Sequence, residues 1–116
     1  MLVEVIHSAF SERNNPITVA TVDVPEEISA FGTTNQCLEY AYRWTNNVMG
    51  SWSRDEQVFE DGSENGDFNP NVTRVAPLNE GGMGLRSTSM GDRMIIDGVT
   101  YEVAMFGFEK LDEETV

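Results

Sequence analysis

The sequence predicts an α+β fold: an antiparallel sheet of about four or five short strands, one main helix packed on one face, and a long acidic loop returning from that helix to the sheet. Three observations carry this expectation. The stretch DRMIIDGVTYEV alternates apolar and polar positions around Asp97-Gly98, a pair suited to a type I′ turn because both central residues need positive φ. The stretch TTNQCLEYAYRWTNNVMG repeats its apolar residues with a helical period. Between the two, SWSRDEQVFEDGSENGDFNPN has no period at all and is polar, acidic and closed by Asn69-Pro70. A chain of 116 residues forms one domain, residues 1–116, with a single core.

The elements follow in order. MLVEVIHS and PITVATVDV are rich in β-branched residues and read as two strands separated by the turn FSERNNP, with Pro16 at a strand start. In VPEEISAFG, Pro25 opens a short helical turn, Glu26 and Glu27 lie near its positive end and Gly32 closes it. In the main helix Leu38, Ala41, Thr45 and Val48 share a face, Thr33 with Gln36 forms a capping box, Glu39 and Arg43 stand in the favourable i, i+4 order, and Gly50 is the expected stop. VTRVAP is a short strand and NEGGMG a flexible connection. In the terminal hairpin Met94 and Ile96 precede the turn, Val99, Tyr101, Val103 and Met105 follow it on one face, and Gly107 marks a bulge or a close backbone approach.

Charge is the strongest compositional fact. Twenty acidic residues against 7 basic ones give a formal net charge of −13, and all the basic residues except Lys110 are arginine. Such a field disfavours direct contact with nucleic acid or anionic lipid and favours basic partners. General solubility, a halophilic surface and the presentation of carboxylates to a basic groove all remain open as its origin. No apolar run reaches transmembrane length and no export signal is expected, so a soluble cytoplasmic protein is anticipated. A single cysteine, Cys37, excludes an internal disulfide.

Little in the chain suggests catalysis, and neither an enzyme nor a cofactor is expected; the alternative is a small-ligand or ion-binding module, or an enzyme, using the Arg86–Ser89 turn or the Asp61–Asp67 loop. His7 lies in a predicted strand and Cys37 on the helix, both in structural settings. Arg86, Ser87, Thr88 and Ser89 could bind an anion through a guanidinium, hydroxyls and backbone N–H groups, or could form a turn before the strand. Asp61, Ser63, Asn65 and Gly66 match the start of a calcium loop. Position twelve is Val72 rather than a bidentate glutamate, so no metal site is assigned. The better lead is the acid cluster Asp55, Glu56, Glu60, Asp61, Glu64 and Asp67, with a second at Glu109, Asp112, Glu113 and Glu114. The first set is the expected partner-binding surface, and a host protein with a basic groove the expected partner.

At AYRWTNN followed by GSW, then NPNVTRVAP, then GLRSTSMGD with its Asp-Gly hairpin and FGFEKL, the chain resembles a group of small phage, prophage and plasmid proteins. They share an A-[YF]-R-x-T-N helix core, a Pro-x-Val-Thr strand and a terminal R-S-[TM]-S-x-G-D block. The likeness spans residues from about 38 to 111 and is weaker over 1–31. It implies an accessory protein of the host cytoplasm, in a setting where small acidic proteins often block a host nuclease or another defence factor; if the fold brings the two acid clusters together, their spacing could resemble the phosphates of a duplex, the DNA mimicry of an anti-restriction or anti-CRISPR protein. It carries over no catalytic residues.

Overall fold

In the computed structural model, which describes residues 1–111, the chain is an α+β protein with one antiparallel six-stranded sheet. The strands are β1 (Leu2–His7), β2 (Ile17–Asp23), β3 (Val72–Arg74), β4 (Arg93–Ile96), β5 (Val99–Val103) and β6 (Phe108–Lys110), in the spatial order β3-β2-β1-β4-β5-β6. A short helix α1 (Glu26–Ser29) precedes the main helix α2 (Thr34–Trp44), and single 3-10 turns occupy Phe10–Glu12 and Glu80–Gly82. Among the described residues no helix is long and apolar enough to cross a membrane.

Alternation builds the core. Val3, Val5 and His7 of β1 are buried, as are Ala20 and Val22 of β2 and Met94 and Ile96 of β4, which the register places opposite one another. Cys37, Leu38 and Ala41 of α2 join the same cluster, so the helix closes this face of the sheet. Burying a side chain such as Leu38 contributes about 1.5–3 kcal/mol. The intervening residues Leu2, Glu4, Thr73, Arg93 and Glu109 are exposed.

β1 and β2 slip register between Val5 and Ile6, where Ala20 and then Thr18 are the partners. Val19 is the extra residue of this bulge, and it is buried beside Ala20. A bulge of this kind turns two successive side chains toward one side of the sheet, which a strict alternation would forbid.

The hairpin forms as expected, with Asp97 at φ 52° and Gly98 at φ 76° between Ile96 and its partner Val99. The capping box on α2 also forms: Gln36 N–H donates to Thr33 Oγ1, and Thr33 N–H donates to Gln36 Oε1. Pro25 stands directly before α1, and Gly32 N–H donates to Ile28 C=O.

Four expectations are corrected. The sheet has a sixth strand, because Gly107 at φ 81° closes a tight turn, with Ala104 N–H donating to its carbonyl, and sends Phe108 back against Val103. β5 therefore stops at Val103 and leaves Met105 exposed in that turn. The main helix ends at Trp44, well before Gly50. There the Thr45 hydroxyl donates to Ala41 C=O and the Asn46 amide to Tyr42 C=O, competing with the backbone for helical carbonyls. Val48 consequently lies outside the helix and is exposed. Finally, Glu39 accepts from Asn35 and Arg43 turns to Asp67, so the expected Glu39–Arg43 pair does not form.

Candidate functional site

Residues 46–71, between α2 and β3, contain no strand or helix, yet the segment is held from inside. The buried amide of Asn65 donates to the carbonyls of Ser51 and Glu56 and accepts from Ser51 N–H at 2.9 Å. Trp52, 2% exposed, donates its indole N–H to Arg86 C=O at 2.9 Å and meets His7 edge-on at 6.4 Å. Phe59 and Phe68 are half-buried. Aromatic and amide anchors thus replace the backbone ladder that this segment lacks.

The six carboxylates of the expected partner surface separate by position. Asp67 is fully buried: its Oδ2 accepts from Val48 N–H at 2.8 Å and Met49 N–H at 3.0 Å, and its Oδ1 lies 3.2 Å from Arg43. It is a structural acid that meets no partner, because those backbone groups would be orphaned without it. Glu56 is half-buried, 3.5 Å from Arg54, and Asp55 is exposed beside Arg74 at 3.4 Å. Glu60, Asp61 and Glu64 are exposed and belong to no ion pair among the described residues. Of the second acid cluster, Glu109 is exposed, while Asp112, Glu113 and Glu114 lie outside the described residues.

The calcium-loop residues are engaged in the same local structure. Asp61 Oδ1 accepts from both the N–H and the hydroxyl of Ser63, which holds the Asp61 carboxyl below its ordinary range, and Asn65 is the brace described above.

The turn Arg86–Ser89 is built around an anion already present in the chain. Asp92, fully buried, accepts from Ser8 N–H and Ala9 N–H through Oδ1 and from Ser89 N–H through Oδ2, and it takes two Arg86 bonds at 2.7 and 2.9 Å. Arg86 Nε and Nη2 reach Glu12 Oε1 at 2.9 and 2.6 Å, and its remaining donor contacts are to the carbonyls of Ser87 and Ala9. Every guanidinium N–H is satisfied. The anion-binding expectation for Arg86, Ser87, Thr88 and Ser89 is corrected on that ground: an internal carboxylate fills the cradle, and no donor is left for a second anion. Burial opposes charge on Asp92, but Arg86 and the backbone N–H groups outweigh it and hold its carboxyl below the ordinary range. The same contacts raise Arg86, and the Ser11 and Arg86 hydrogen bonds lower Glu12.

Sequence reasoning gave His7 no partner, and the structure places it in this cluster. Its Nε2 is 3.1 Å from Thr88 Oγ1; the Thr88 hydroxyl is 2.9 Å from Thr45 Oγ1, which donates to Ala41 C=O at 2.8 Å. The last acceptor is a carbonyl, so the protons run one way: Thr45 donates to Ala41, Thr88 to Thr45, and His7 Nε2–H to Thr88. Asp92 Oδ2, 4.0 Å from Nε2, favours the same tautomer. Burial pushes the imidazole pKa down, against the pull of Asp92, so the ring is neutral near pH 7. Thr88, 1% exposed, is too enclosed to act as a nucleophile, and burial pushes the Cys37 thiol up, away from reactivity.

The fold and this cluster define a small α+β protein whose irregular segments are built on buried aspartate–arginine pairs. Compared with known protein families, curated proteins and solved structures, the chain finds no match.

Proposed function

We propose that this is a non-enzymatic interaction protein that offers an acidic surface to a basic groove on a partner. The observation that carries this reading is how the cations are used. Arg43, Arg54, Arg74, Arg86 and Arg93 are each paired with a carboxylate of the chain itself. The outer acids Glu60, Asp61 and Glu64, and with them Glu26, Glu27 and Glu39, are exposed and outside those pairs. With five of the seven basic residues held by the chain's own carboxylates, and Arg13 and Lys110 exposed outside those pairs, the acidic excess leaves a surface of net negative charge, which steers and orients a basic partner. The surface is drawn first by Glu60, Asp61 and Glu64, joined by Asp55 and Glu56, whose charge Arg74 and Arg54 partly offset, and without the buried Asp67. In the setting implied by the resemblance to phage and plasmid accessory proteins, the partner is a host nucleic-acid-binding or defence protein, met in the cytoplasm and blocked by DNA mimicry.

The test is capture from the host followed by titration of the purified partner. Association should weaken steeply with added salt, and the variant Asp55→Asn, Glu56→Gln, Glu60→Gln, Asp61→Asn, Glu64→Gln should lose most of it while keeping the native fold. Retention of the same partner with the same salt dependence would sink the proposal.

A further inference from the structure

His7 is part of the wall of a cavity of about 500 Å³, between the end of β1, the bulge of β2 and the segment leading to Arg86. That volume lies in the range of small-molecule sites. Val19, Ala76, Leu78 and Leu85 give it an apolar lining, and Val19 belongs to it only because the β2 bulge turns that side chain inward. Its polar part comprises Ser11, Glu12, Asn79, Glu80 and Arg86 beside His7; the Ser11 hydroxyl donates to Glu12 and the Asn79 amide to Gly84 C=O.

The polar part has a definite sense. The hydroxyl chain from His7 to Ala41 fixes the proton on Nε2, so Nδ1 carries a lone pair, and it has no hydrogen-bond partner among the described residues. The ring is 3% exposed. Nδ1 itself is not enclosed, since the buried side-chain atoms without a partner among the described residues are Ser51 Oγ and Glu56 Oε2; on a ring that lines the cavity it is an acceptor open to a donor from a ligand. Arg86 has no free donor to offer an anion, since Glu12, Asp92 and two carbonyls take them all. Around a neutral His7 the charges are those of Glu12, Asp92 and Glu80 against Arg86 alone, an excess of negative charge.

We propose that this cavity binds a small amine: an apolar body packed on Val19, Ala76 and Leu85, and a protonated nitrogen donating to His7 Nδ1 and attracted by Glu12. The observations select a donor over an acceptor, a cation over an anion, and a compact apolar group over a sugar or nucleotide. The inference is independent of the acidic outer surface, so the amide variant described above should bind the amine as the unmodified protein does.

Because His7 is the chain's only histidine, its imidazole gives one nitrogen pair in NMR spectra, which makes the test direct. The free protein should show an Nε2–H tautomer with unprotonated Nδ1. Phenethylamine at millimolar concentration should then shift Nδ1 together with the amides of Val19 and Leu85, saturably, and bind about tenfold or more tightly than 3-phenylpropionate. Binding should fall as pH drops and Nδ1 takes a proton, since Asp92, Glu12 and Arg86 then surround an imidazolium that repels the amine. Leu78→Trp, at a half-buried position of the lining, should abolish binding and leave the remaining spectrum in place. An Nδ1–H tautomer, no saturable shift, equal binding of the carboxylate, or shifts indifferent to Leu78→Trp would each overturn the proposal. Tighter binding of a blocked lysine amide than of phenethylamine would also overturn it, in favour of a partner's side chain.

Discussion

Asp67 in the α2–β3 connection and Asp92 before β4 solve the same problem with unequal means. Each is a fully buried carboxylate that gathers backbone N–H groups from an irregular stretch and an arginine from elsewhere. Asp67 receives two N–H groups and a single contact from Arg43, whereas Asp92 receives three N–H groups and a two-point grip from Arg86, itself held by Glu12. The difference shows how a chain with a large acidic excess can still use acids as structural anchors. Two aspartates are withdrawn and saturated with donors, and the surplus is left outside.

The largest effect should separate the two sites. Asp92→Ala leaves Arg86 facing only Glu12 and strands three N–H groups, and should cost about 3–5 kcal/mol in denaturant unfolding. Asp67→Ala strands two N–H groups beside a partly exposed arginine and should cost less, about 1–3 kcal/mol. Equal costs would mean that the extra contacts at Asp92 contribute nothing.

Exchanging the cation sharpens the same contrast. Arg86→Lys keeps the charge but loses the fork that serves Asp92, Glu12 and two carbonyls, so a loss of about 1–3 kcal/mol is expected. Arg43→Lys gives up one 3.2 Å contact with Asp67 and the stacking of the guanidinium over Trp44 at 4.1 Å, both on a side chain 35% exposed, where screening limits the effect to about 0.2–1 kcal/mol. Melting midpoints of the two variants should therefore differ clearly, and coincidence would break the comparison.

A smaller signature lies in the pH dependence of stability. His7 has a lowered pKa in the folded protein, so the unfolded chain takes up its proton first; stability is full above about pH 6.5 and declines as pH falls toward the folded value. Asp92 and Glu12, also lowered, add their loss only below about pH 4, where the unfolded carboxylates begin to protonate. Unfolding free energy measured from pH 7 to pH 3 should thus show a shallow upper limb, and His7→Gln should remove that limb alone. An upper limb that survives the substitution would place its origin outside the Asp92 cluster.

What the sequence made legible was local. The Asp97-Gly98 turn and the Thr33–Gln36 capping box are written within a few residues and form as read. The α2 terminus could have been found, since Thr45, Asn46 and Asn47 all compete for backbone groups, but the apolar period runs on to Val48 and masks that competition. The roles of the acids were not legible. Asp67 looks like Asp61 in sequence, and only the fold brings the N–H groups of Val48 and Met49 to one and leaves the other in water. Likewise Arg86 reads as an anion site until Asp92, six residues on, is seen to occupy it, with Ser8 and Ala9 delivered from the far end of β1. His7 acquires its tautomer from Thr88 and Thr45, distant positions that no local pattern connects to it.

The smallest effect on stability should come from the outer acids, and it completes the contrast with the two anchors. Glu60 and Glu64 are exposed and hold no cation among the described residues, so Glu60→Gln with Glu64→Gln removes two negative charges and strands no donor there. The chain carries a formal charge of −13, and relief of self-repulsion should leave the melting midpoint unchanged or slightly higher at low salt. The gain should vanish as added salt screens the surface. A fall in the midpoint would mean that these glutamates support the fold as Asp67 does. In that case the division between anchoring and outward-facing acids would fail at the segment where the proposed partner surface depends on it.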